Sequence, residues 1–184
     1  MTITEPTVDP ALLERMATSF HEAGHALVGR VLGVSTGVTR IKRAELVAAG
    51  DASGHAGRCT FGITADGYGQ APLSATWAGP LAEERFLRGP SMSLSHVRDA
   101  LADHLDDRAV IQARDYALDG GAELDDARAS VEVLWPFITD LATRIEANGF
   151  ADDGDVRAVL ALPATGDVTA ELQQLRRTVL GLFG

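Results

Sequence analysis

The segment from Pro10 to Leu32 constrains this chain more than any other. Its residues Leu13, Met16, Ala17, Phe20, Gly24, Leu27, Val28 and Val31 recur at the spacing of one helical face. Pro10 suits a first helical position, where its missing N–H is no loss, and Gly33 suits the stop. Inside this segment lie His21, Glu22 and His25, an HExxH pattern flanked by apolar Phe20, Leu27 and Val28. Residues four apart share a helix face, so the two imidazoles can converge on one ion at about 2.1 Å each. Glu22 lies about 100° around the helix from His21 and can reach a water beside that ion without taking a coordination position. A zinc ion that lowers the pKa of water to about 7, next to a carboxylate general base, is the equipment of a hydrolase. Five-residue patterns of this kind also arise by chance, and it is the helical, half-apolar setting that favours the metal.

Further along, Gly37 to Ile41 and Gly57 to Ile63 carry the Thr, Val, Ile, Cys and Phe that fit a pleated surface and are predicted as strands. Ala48 to Gly54 and Ala65 to Gln70 read as loops, the latter a flap around Asp66-Gly67-Tyr68-Gly69. Helices are predicted from Pro72 to about Leu87, over part of Leu94 to Leu118, and from Asp153 to Leu162. Another spans Asp125 to Ala147, with Pro136 forcing a break or fresh start near Trp135. The tail ends in an amphipathic turn or two through Leu172, Leu175, Val179, Leu180 and Leu182. Trp77 and Trp135 are expected in the core, and Cys59 as a buried strand cysteine. His55 and His96 lie in polar context and are assigned no role. The expected architecture is one α+β domain over residues 1–184, mainly helical, with a small sheet beside the HExxH helix. Residues 1–9 are expected to be flexible and 163–184 to form the amphipathic tail.

Composition narrows the partners. A net charge of -10 argues against nucleic acid and anionic membranes, which reward Lys and Arg. One cysteine excludes an intrachain disulfide and a Cys-rich zinc site. With no membrane-length apolar run and no signal-peptide layout at the N-terminus, a soluble, cytoplasmic protein is expected.

Phe20-His21-Glu22-Ala23-Gly24-His25-Ala26-Leu27 closely resembles the zinc-peptidase domain of the FtsH-type membrane-bound AAA proteases. Further matches follow in order: Val38-Thr39-Arg40-Ile41, Gly57-Arg58-Cys59-Thr60-Phe61, Ala78-Gly79-Pro80-Leu81-Ala82-Glu83-Glu84 with Gly89, and Ala142 to Leu160 with Gly154-Asp155-Val156-Arg157. The resemblance implies that Gly57, Arg58, Cys59, Thr60 and Phe61 form the edge strand on which a substrate chain is laid. It also implies a third ligand, an aspartate at the start of a later helix, which here is Asp106 or Asp107. Apolar alignment favours Asp106 and segment spacing favours Asp107 equally, while either could instead be a helix N-cap. His104 is chemically a better zinc ligand than a carboxylate, but a surface histidine is the expected reading. Glu83 could be a ligand in another zinc-peptidase arrangement and is expected to support a ligand or lie on a helix surface.

Unlike that family, the sequence holds no G-x-x-x-x-G-K-[ST] phosphate loop, and no membrane helices are expected to precede the domain. A stand-alone version must take peptides or unfolded segments, or borrow a separate unfoldase. The expectation is therefore an ATP-independent zinc endopeptidase with one Zn2+ per chain, Glu22 as its base, and self-association left open. The rival expectation is a zinc-binding interaction or regulatory module with little or no proteolytic activity.

Overall fold

In the computed structural model the Pro10–Leu32 segment is one uninterrupted helix, α1, and its ends follow from local chemistry. Asp9 caps it by accepting the Ala11 N–H at 3.0 Å, so residue 9 is ordered rather than flexible. Beyond Gly33 a 3-10 turn leads to Gly37, whose φ of 86° turns the chain into the sheet. The structure describes residues 9–47, 56–63, 71–90, 93–114 and 121–181. The expectations for residues 1–8, Ala48 to Gly54, His55, Ala65 to Gln70, Leu118 and Leu182 lie outside them.

Strand β1 (Val38–Leu46) runs five residues past its predicted end, and β2 (Gly57–Ile63) has its predicted bounds. They pair antiparallel, with Ala44 opposite Cys59 and Leu46 opposite Gly57. A third strand, β3 (Phe150–Ala151), pairs antiparallel with the other edge of β1, giving the order β2-β1-β3. The far edge of β2 has no partner strand among the described residues.

Helix α2 (Leu73–Arg88) packs against α1, and the two backbones come unusually close. A Cβ at Gly24 would stand 2.5 Å from the Ala78 carbonyl oxygen, so this crossing requires glycine. The predicted third helix is two: α3 (Leu94–Asp103) and α4 (Leu105–Ala113), separated at His104, whose φ of -104° and ψ of 77° are not helical. His96, assigned no role, completes a capping box with Ser93 at the start of α3.

Helix α5 (Ala122–Asn148) corrects the expected break at Pro136, because it runs through the proline. Proline removes one hydrogen bond at a cost of about 3 kcal/mol. That loss is outweighed by a continuous buried face of Leu124, Ala127, Val131, Leu134, Ile138, Leu141, Ala142 and Ile145, which one straight helix alone can present. Gly149, with φ of 80°, ends α5. Asp152 then opens α6 (Asp153–Val159) through a capping box with Asp155. Asp153 reaches across to the sheet, accepting the Ile41 N–H at 3.0 Å and pairing with the buried Arg30 at 3.3 Å.

The tail helix α7 (Thr169–Val179) spends its apolar face on its own chain. Leu172 and Val179 are buried, with Leu175 and Leu180 packed against the same cluster. That cluster joins α1, α2, α5, the sheet and α6 in one core. Trp77 is buried there, whereas Trp135 is only half-buried, stacking on Phe20 at 5.2 Å. No helix among the described residues is long and apolar enough to cross a membrane.

Candidate metal centre

Helical spacing brings His21 and His25 onto one face of α1, and the fold turns that face toward the start of α4. The two Nε2 atoms stand 2.9 Å apart. Asp107 Oδ2 lies 3.1 Å from His21 Nε2 and 3.4 Å from His25 Nε2. Ligand atoms about 2.1 Å from a tetrahedral zinc ion stand about 3.4 Å from one another, and the three atoms lie at that separation or somewhat inside it, at 2.9, 3.1 and 3.4 Å.

The outer nitrogens of both rings are engaged. His25 donates from Nδ1 to the Ala75 carbonyl at 2.7 Å, and His21 Nδ1 lies 2.9 Å from Glu83 Oε2. With the hydrogen on each Nδ1, both Nε2 lone pairs face the same point, as metal-ligating histidines require. Two facing lone pairs at this distance repel unless a cation or proton lies between them. The donor set of two imidazoles and a carboxylate fits zinc, and leaves a position open toward the cleft.

The electrostatics of the metal-free residues carry the same message. Burial disfavours a charge on His21, yet hydrogen bonds to Asp107 and Glu83 prevail and raise its pKa to about 10. His25 is raised as well, burial again being overcome by Asp107. Burial would raise Asp107, but the His25 and His21 cations beside it hold it well below the usual carboxylate range. Burial would likewise raise Glu83, and its bonds to His104 and His21 bring it down to about 2. The two histidines and the two carboxylates thus hold one another in opposite charge states, a proton-bound arrangement that a metal ion would replace.

Glu22 is buried, and its Oε2 has no hydrogen-bond partner among the described residues. Burial raises its pKa, opposed by the two histidines. A desolvated carboxylate oxygen without a donor is costly, and such atoms in native folds call for an occupant or a task. Strand β2 passes directly over this carboxylate, and a Cβ at Gly57 would collide with Oε1.

Around these groups opens a cleft of about 670 Å³, lined by His21, His25 and Asp107, by Glu22, His104 and Asp106, and by Gly57, Arg58, Cys59 and Phe61 of β2. Thr60 is not among the lining residues, and its hydroxyl donates to the Arg43 carbonyl at 3.3 Å. The two aspartates separate: Asp107 joins the histidines, while Asp106 is exposed at the cleft and outside the triad. Neither is an N-cap, since His104 holds that position of α4. Cys59 is half-buried on the cleft wall, not fully buried, and burial together with the Glu22 and Asp107 charges keeps its thiol protonated.

Some participants carried no readable signal. The Ala75 carbonyl is a backbone group, and sequence does not label it. Gly79 is one whose signal was present, within Ala78-Gly79-Pro80: a Cβ there would collide with the His25 ring at Nε2 and Cε1. His104, expected on the surface, faces the cleft and contacts Glu83. Compared with models of known protein families and with curated proteins, the sequence gives no match.

Proposed function

We propose that this chain is a zinc-dependent endopeptidase acting on peptides or unfolded protein segments. The observation that carries the reading is the unpartnered Glu22 Oε2, buried beside the His21–His25–Asp107 group and open to a cleft of peptide-binding size. His21, His25 and Asp107 would hold the ion. When bound, zinc would lower the pKa of water at its open position and polarise the scissile carbonyl.

The remaining steps belong to the protein. Glu22 accepts a proton on its carboxylate as the water oxygen attacks the carbonyl carbon. It then delivers that proton to the amide nitrogen, the C–N bond breaks, and the carboxylate is restored. The substrate main chain is suited to add to the edge of β2 that has no partner strand among the described residues, with Gly57, Arg58, Cys59 and Phe61 on the cleft wall. Main-chain pairing of this kind selects weakly among side chains. The resemblance to the FtsH-type peptidase domain supports the same assignment.

The assignment is tested with the Glu22→Gln variant. Zinc-loaded wild-type protein is expected to cleave a broad peptide library. Glu22→Gln is expected to keep its zinc and lose at least about 100-fold in kcat, the scale of a general base. Zinc loss in that variant, or unchanged turnover, would refute the role given to Glu22.

A further inference from the structure

Among the described residues, His104 is the one histidine of the cleft that the proposed chemistry does not use. It stands at the junction of α3 and α4, three residues before Asp107, so one short turn sends two side chains toward α1. Asp107 reaches both ligand nitrogens. His104 instead lays its ring over that of His21, with centroids 4.1 Å apart at 37°, and places Nε2 at 2.7 Å from Glu83 Oε2. The same carboxylate oxygen is 2.9 Å from His21 Nδ1. Glu83 Oε2 therefore accepts from two imidazoles on different elements, His21 on α1 and His104 at the α3–α4 junction.

We propose that His104 is a positioning residue for the metal ligand His21, acting through Glu83. This rests on the zinc-centre reading above and adds to it. Glu83 extends from α2 on a flexible side chain that is 18% exposed, so one donor alone would leave it free to swing toward solvent. The His104 N–H supplies a second donor to the same oxygen. Held in this way, Glu83 keeps the hydrogen of His21 on Nδ1, turns Nε2 toward the ion and raises the basicity of the ring. The tilted His104 ring, 4.1 Å from that of His21, also restricts rotation of the His21 imidazole. His104 thus need not touch the ion to set its affinity.

The test is zinc affinity of the full chain, by chelator competition, for wild type, His104→Ala and His104→Gln. Cobalt absorption spectra and thermal melts of the metal-free proteins accompany it. Loss of a supporting partner typically weakens metal binding about 10- to 100-fold. His104→Ala is expected near the lower end, about 10-fold, with a shifted cobalt spectrum and an unchanged metal-free melting temperature. His104→Gln retains an N–H that can reach Glu83 and is expected to recover most of the affinity, which a packing role alone would not produce. Equal affinity and spectra in wild type and His104→Ala would overturn the proposal. So would a second zinc equivalent in wild type that His104→Ala abolishes, since Glu83 and His104 would then be ligands themselves. Failure of the underlying reading has its own signature, a wild-type protein that takes up no zinc, and it would end both.

Discussion

A single methyl group at position 79 would occupy the space of the His25 ring, a proposed metal ligand. Gly79 and Ala75 lie one turn apart on α2, and between them they seat His25: the Ala75 carbonyl holds Nδ1 at 2.7 Å while the bare Gly79 backbone admits the far side of the ring. The imidazole cannot yield to a new Cβ without losing that bond. Gly79→Ala is therefore expected to weaken zinc binding by about 10-fold or more, and to destabilise the fold by about 1–3 kcal/mol through overpacking. Chelator competition and a thermal melt check both; unchanged zinc affinity would show that the ring is not seated as described. His21, Glu22 and His25 were legible in the sequence because their spacing is itself helix geometry. The choice of Asp107 over Asp106 was not legible, because one residue of difference is decided by where α4 begins. That start falls after His104, which makes no side-chain cap and so gives the sequence no local mark of the boundary.

Among the elements, α5 shows most clearly how packing overrides local preference. Its buried face continues from Leu134 to Ile138 across the exposed Pro136, and the helix follows the face. Restoring the missing N–H with Pro136→Ala is expected to stabilise the protein by about 2–2.5 kcal/mol, the helix gain of about 3 kcal/mol less the about 0.4–1 kcal/mol of added freedom in the unfolded chain. A rise of several degrees in melting temperature is the expected reading. No rise, or a fall, would mean that the proline serves a bend the protein needs. The long helices α1, α2 and α5 could be read from sequence because each buries a long periodic face. Strand β3 could not, since two residues carry no period, and its pairing with β1 follows from where α5 ends at Gly149.

For the molecule as a whole, the metal would join parts of unequal security. His21 and His25 sit on α1, which is buried from Phe20 to Leu32, whereas α4 buries only Ile111. Binding stabilises the folded state by mass action, about 2.7 kcal/mol at a hundredfold excess over Kd. Removing zinc is expected to speed amide exchange in α4 while α1 stays protected, because weakly packed segments open locally first. Hydrogen exchange with and without chelator checks this, and equal protection of α4 in both states would contradict it. The most direct test of the central claim is the zinc content of purified protein for wild type, Asp107→Ala and Asp106→Ala. The account predicts about one zinc per chain in wild type and in Asp106→Ala, and none in Asp107→Ala, as a three-ligand site requires. A wild type that stays empty after zinc is added, or a site lost with Asp106 and kept without Asp107, would contradict it.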